Sequence, residues 1–200
     1  MASNEVHESD IATRLTAIEV QLQQFNQILS SLSDRITQSE QNFLLIADIH
    51  KYKKLQELLA AGDLREADWE TIRVIQAITG EPDLGAITPD DMRQFPCDEL
   101  QVIDNLWTKY SQGRFGFSVQ IQIYQSVGGS FDTTINQDNT VIEKLGERVG
   151  WRLNHKWLKC DDLDYTIAAP IGCHPSRWWN SPFGSKMTNY FFNRLLVCGI

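Results

Sequence analysis

An all-α fold, a mainly helical domain preceded by a helical arm, is what this sequence predicts, on three observations. Apolar residues recur at alternating spacings of four and three from Ile11 to Ile36. Two later stretches, about 52–78 and 95–125, each read as helix, glycine turn, helix, with apolar residues three and four apart. The tail from Met187 to Cys198 carries Tyr190, Phe191, Phe192, Leu195, Leu196 and Val197 and reads as a closing helix.

The arm is placed at residues 1–42. Ile11, Leu15, Ile18, Leu22, Phe25, Leu29, Leu32 and Ile36 form a heptad seam, and the residues between them are mostly Gln, Ser, Thr and Glu. Ser9-Asp10 make a plausible cap. A stripe of two residues in seven is narrow for docking on a globule, so a homo-oligomer through residues 11–36 is the expectation; the alternative is one amphipathic helix lying on its own domain. Ser39 and Gln41-Asn42 interrupt the seam before Phe43-Leu44-Leu45-Ile46 resume an apolar face.

The domain is placed at residues 48–198. Tyr52, Leu55, Leu58 and Leu59 line a helix that stops at Gly62; Ala67, Ile72, Ile75 and Ile78 line the next, which stops at Gly80. Residues 81–94 hold two prolines and a glycine and read as an irregular loop, with Ile87 and Met92 its apolar members. Pro96 suits a helix entrance, since its missing amide hydrogen is not needed there. Leu100, Ile103, Leu106 or Trp107, and Tyr110 then make one stripe. Gly113 and Gly116 bracket Arg114-Phe115 and let the backbone turn sharply, and Ser118 is placed as the cap of the following helix. Residues 127–139 read as a second loop, and Val141 to Gly146 as a short helix ending at the glycine. The aromatic segments 148–152 and 157–158 have no helical period, and 162–167 reads as a short extended piece.

Composition sets the class. Two hundred residues, 42% hydrophobic and 22% charged, describe an ordinary globular chain with room for one sizeable core. A formal net charge of −8 argues against nucleic acid, whose phosphates need a basic surface, and against anionic lipid. No apolar run approaches a transmembrane span. The acidic opening Met1 to Glu8 lacks the features of a signal or transit peptide, so the cytoplasm is expected. Cys97, Cys160, Cys173 and Cys198 are widely spaced and are expected as free thiols.

Catalytic signals are thin. The chain has no Gly-rich phosphate loop and no nucleophile motif, and adjacency alone does not make Cys173-His174 a nucleophile and its base. His155, Cys160, Cys173 and His174 match no common zinc spacing. No catalytic residue and no metal ligand is assigned, and the chain is read as a non-enzyme. Aromatics are what the second half offers: Phe115, Phe117, Phe131, Trp151, Trp157, Tyr165, Trp178 and Trp179 fall near loops and glycines. Large flat side chains on loops suit a large flat apolar ligand, with Arg114, Arg152 and Arg177 as partners for its carboxylates. An aromatic-rich core accounts for the same residues.

Several motifs resemble one known family. Phe95-Pro96-x-x-Glu99-Leu100-x-x-Ile103, Leu106-Trp107 and Ser111-x-Gly113-x-Phe115-Gly116-Phe117-Ser118-Val119-Gln120 are similar to the signature of the genomes-uncoupled-four domain. Val149-Gly150-Trp151, Trp157 and Ala169-Pro170-x-Gly172-x-x-Pro175 continue the match in order, and Leu58 to Thr71 fits the family's opening helices. The resemblance covers about residues 48–175. It departs at Gly172-Cys173-His174-Pro175, where the family commonly reads Gly-His-Leu-Pro.

The resemblance implies a mostly helical domain shaped like a cupped hand. Founding members bind protoporphyrin and its magnesium complex in the palm and stimulate magnesium chelatase through its large subunit, without chemistry of their own. Other members, mostly cyanobacterial, join the domain to different modules or bind linear tetrapyrroles. The implied ligand is therefore protoporphyrin or magnesium-protoporphyrin, with a bilin as the alternative and Cys173 or Cys160 as its point of attachment. A ligand-free interaction module is the third reading. Such a ligand needs flat walls and a few donors at the rim. The expected walls are Ile87, Met92, Phe95, Phe115, Phe117, Trp151 and Trp157, with Arg177 as the rim cation and Arg114 in reserve. His174 is expected to face solvent.

Overall fold

A computed structural model describes the backbone of residues 2–200 and the side chains of residues 14, 18–33, 35–36 and 50–200. The first helix, α1, spans Ala2–Ala61. The chain divides into two compact units, Met1–His50 and Lys51–Ile200. In the first unit the seam residues Ile18, Leu22, Phe25, Leu29, Leu32 and Ile36 are all exposed. The side chains of Ile11 and Leu15, the cap at 9–10, and the resumed apolar face at 43–46 lie outside the described residues.

The second unit opens on the helical hairpin the sequence predicts. Gly62, with φ +74°, ends α1, and the Asp63 carboxylate accepts the Glu66 amide at 3.2 Å to start α2, Leu64–Thr79. Leu64, Ala67, Thr71, Ile72, Val74 and Ile75 are buried along α2, which Gly80 closes in the left-handed conformation.

Both expected loops contain a helix. Thr88 and Asp91 form a reciprocal capping box around Pro89, giving α3, Pro89–Gln94. Ser130 and Thr133 do the same for α6, Phe131–Ile135. The S/T-x-x-D/E start signal was present at Thr88, but elements of five and six residues are too short to show a period.

The central pair is α4, Cys97–Tyr110, and α5, Phe117–Ser126. Leu100, Ile103 and Trp107 are buried on α4, and Phe115 and Phe117 are fully buried at the turn. Ser118 does not cap α5. Its backbone N–H instead donates to Asp104 Oδ1 on α4 at 2.9 Å, so the cap comes from a neighbouring helix. Next, α7 covers Asn139–Val149 and stops at Gly150, not at Gly146. A two-residue hairpin follows, β1 Arg152–Leu153 antiparallel to β2 Lys156–Trp157. Residues 162–167 hold no strand; a 3₁₀ turn at Cys160–Asp162 precedes irregular backbone.

The last helix, α8, Ser185–Cys198, is the post around which the unit packs, in contact with α3, α4, α5, α6 and α7. Phe191 lies 5.1 Å from the Phe117 ring and 4.4 Å from Trp178, and Phe192 stacks 4.7 Å from Tyr124. Its end is joined to the start of α4 by a Cys97–Cys198 disulfide, which corrects the expectation of four free thiols. A separation of 101 residues hid the pair, because only tertiary folding brings the two helix ends together. No helix among the described residues is long and apolar enough to cross a membrane.

Candidate functional site: a tryptophan-lined groove

Three indoles meet where the start of α7, the hairpin and the approach to α8 converge. Trp151 and Trp179 stack with centroids 5.4 Å apart, and Trp157 tilts against Trp179 at 5.3 Å. Gly146 explains how Trp157 reaches this position. A Cβ there would stand 2.5 Å from the edge of the Trp157 ring, so the glycine inside α7 is a seat for the indole. The Trp151 ring nitrogen donates to the Cys173 carbonyl at 2.8 Å and is anchored, whereas Trp179 Nε1 is buried with no acceptor among the described residues.

These rings form one side of a groove of about 400 Å³, completed by Asn139, Ile142, Glu143, Asn180, Ser181, Gly184, Ser185 and Thr188. Its single lining carboxylate, Glu143, is paired with Arg152 at 3.0 Å; Arg152 also holds Glu147 at 2.5 Å. The remaining polar lining is neutral amide and hydroxyl.

Of the residues the sequence singled out, Trp151 and Trp157 line this groove. Ile87, Met92, Phe95, Phe115 and Phe117 are at most 2% exposed and sit in the core, away from the groove's lining. They satisfy the same hydrophobic patterning that suggested walls, because a core and an apolar pocket draw on the same residue types. Trp179, Asn180, Ser181 and Ser185 were not singled out for the site. The Trp178-Trp179 pair was visible, yet adjacent residues face different ways, and only the fold shows that Trp178 enters the core while Trp179 faces the groove.

Arg177 is also placed differently from a rim cation. It is 4% exposed, its guanidinium lies 3.7 Å over the Trp69 ring, and Nη2 donates to Asp161 at 2.6 Å. That hydrogen bond holds the Asp161 carboxyl below the usual carboxylate range. The neighbouring centre is Asp68, fully buried. It accepts the Ser176 amide at 2.7 Å, the Ser176 hydroxyl at 2.6 Å, the Tyr165 hydroxyl at 3.0 Å and the Arg177 amide at 3.2 Å. Arg114 donates to the Ile167 and Ala169 carbonyls, both at 2.8 Å, and braces the same segment.

His174 corrects the expectation of a solvent-facing ring. It has no exposed surface, stacks on Tyr165 at 4.5 Å, meets Phe115 edge-on at 5.2 Å, and bonds the Asp164 carbonyl through Nε2 at 2.9 Å. Burial pushes its pKa down, although Asp68 pulls the other way. Cys160 and Cys173 are buried, and burial pushes both thiols up to about 12, so neither offers a thiolate to a ligand. No cluster of three or more His, Cys, Asp or Glu side chains suited to an ion occurs among the described residues.

Comparison with known proteins places this fold. A family model described as GUN4-like matches residues 46–193. A tetrapyrrole-binding protein of the Arabidopsis thaliana chloroplast is 39% identical over 79 residues, 38% of this chain and 30% of that protein. The ycf53 protein of Pyropia yezoensis is 33% identical over 108 residues, 52% of this chain and 40% of its own. A Ycf53-like protein of Synechocystis is 28% identical over 130 residues, 62% of this chain and 50% of its own. The matched segments thus span half or less of these relatives. Ligand-free Arabidopsis thaliana GUN4 superposes with a TM-score of 0.56 at 26% identity, covering 70% of this chain and 93% of that one. GUN4 of Chlamydomonas reinhardtii, at 23% identity and a TM-score of 0.52, shares the fold. With the family model spanning the helical unit nearly end to end, and solved members of that family sharing its fold, the chain belongs to the GUN4-like family.

Proposed function

We propose that this protein is a non-catalytic tetrapyrrole-binding regulator or carrier acting in the cytoplasm, holding a porphyrin non-covalently in the Trp151–Trp157–Trp179 groove. The observation that carries the reading is the indole cluster. Three large flat rings border a space of about 400 Å³, within the range of small-molecule sites. A macrocycle edge inserted there meets apolar faces. Trp179 Nε1, a buried donor without an acceptor, together with Asn139, Asn180, Ser181 and Ser185, supplies hydrogen bonds for ring nitrogens or propionates. Membership of the family supports the ligand class, and the Arabidopsis relative is named for it. The large subunit of magnesium chelatase is the proposed protein partner, on the same family ground, in chlorophyll synthesis. The arm is proposed to make the protein a homo-oligomer.

Protoporphyrin titration followed by tryptophan quenching and the porphyrin absorption band tests this, with biliverdin as the comparison. Trp157→Ala and Trp179→Ala are expected to weaken porphyrin binding at least tenfold while leaving the melting temperature within a few degrees of wild type. Unchanged affinity in both variants would place the ligand elsewhere. Tighter binding of biliverdin than of protoporphyrin would move the protein to the linear class.

A further inference from the structure

We propose that the α1 seam joins three or four copies of this chain in a parallel, in-register coiled coil. This rests on the homo-oligomer reading above and adds strand number, direction and register to it. The spacing from Ile11 to Ile36 keeps a strict period of 3.5, so the seam stays on one face only if the helices supercoil around one another. The described seam residues are between 43% and 65% exposed, which is large apolar area left to cover.

Strand number follows from which residue occupies which seam position. The order of spacings puts Leu15, Leu22, Leu29 and Ile36 at a, and Ile11, Ile18, Phe25 and Leu32 at d. Leucine fills three of the four a positions and isoleucine two of the four d positions, and leucine at a with isoleucine at d favours three or four strands over two. In a parallel dimer the d side chain points straight at its partner, and a branch at Cβ leaves it few rotamers in which to do so. Ile28, at the flanking g position and 55% exposed, widens the apolar face in the same direction, since flanking positions become buried as strands are added.

Direction and register follow from charge. In a parallel coil a g residue faces the e residue five positions later on the next chain. Arg14 at g then meets Glu19 at e, both exposed, and Gln21 meets Asn26, an amide pair. Arg35 at g meets Glu40 at e in the same register. An antiparallel coil pairs g with g and e with e; the register that layers a on d then sets Arg14 toward Arg35 and leaves Glu19 facing Asn26 instead of an arginine. A slip of one heptad parts Arg14 from Glu19.

Sedimentation equilibrium on the full chain is expected to give three or four times the 22.9 kDa chain mass. Leu22→Glu with Leu29→Glu is expected to give a single chain with the melting of the globular unit unchanged. Ile36→Cys under mild oxidation is expected to cross-link copies, because a parallel in-register coil brings that position to its own equivalent, whereas the antiparallel register that layers a on d sets it beside Ile11. Arg14→Glu is expected to raise the concentration of half-dissociation several-fold, and Arg14→Glu with Glu19→Arg to restore it. A dimeric mass, or no Ile36→Cys cross-link in an assembled chain, overturns this inference and leaves the homo-oligomer reading standing. A monomeric wild type at high concentration overturns both.

Discussion

Replacing Gly116 is expected to destabilise the domain through two effects that can be separated. At φ +137° and ψ 164° the residue lies in a region essentially reserved for glycine, and forcing a side chain there costs about 1–3 kcal/mol. A Cβ would also stand 2.7 Å from Asp104 Oδ1 and 2.7 Å from Thr108 Cγ2. Asp104 is only 4% exposed, and its Oδ1 is the acceptor for the Ser118 amide that starts α5. Displacing a buried carboxylate from that bond costs a further 1–3 kcal/mol or so. The two effects overlap, so Gly116→Ala should cost about 3–5 kcal/mol, a fall in melting temperature of about 6–20 °C for a domain of this size. Gly113→Ala is the control: φ is +76°, but its Cβ would meet nothing within 4 Å, leaving only a strain of about 1–2 kcal/mol. Thermal unfolding followed by far-ultraviolet circular dichroism compares the two. If Gly116→Ala melts no lower than Gly113→Ala, the crowding against Asp104 is not what fixes this turn.

Four other outcomes follow from the same structure. Asp68→Ala leaves the Ser176, Tyr165 and Arg177 donors without their shared acceptor and should cost about 3–5 kcal/mol in urea unfolding, with Asp68→Asn retaining part of it. His174 has a folded pKa below its ordinary 6.5, so below that pH the unfolded state binds more protons. Stability should therefore fall as pH drops from about 6.5 toward the folded value, and His174→Gln should lose that slope in a series of melts. Without reductant, thiol titration of the unfolded chain should find Cys160 and Cys173 alone, and neither in the native state. Cys198→Ser should lower stability by about 2–5 kcal/mol through the freed 101-residue separation.

The sequence by itself determined the helices long enough to show a period. The hairpin around Gly62, the α4–turn–α5 unit and α8 were legible because a 3.6-residue stripe and a stopping glycine are local properties. So were the helical course of the arm and the FGFSVQ run at Phe115 to Gln120 on which the family resemblance rests. Short elements escaped: α3 and α6 are fixed by capping boxes, and Gly146 looked like a helix stop because nothing local says that an indole will lie on it.

What only the tertiary structure decided is which aromatics face a cavity. Phe95, Phe115 and Phe117 carry the same chemistry as Trp157 and Trp179, and burial in the core or exposure to the groove depends on how α8 packs against the remaining helices. The same holds for charge. Arg177 read as a free rim cation until folding laid it on Trp69 and beside Asp161, residues 108 and 16 positions away in the chain. Cys97 and Cys198 were two remote thiols until the ends of α4 and α8 met. Periodicity reports the environment of a face, whereas a site is made by residues from separate elements, and their convergence is written only in three dimensions.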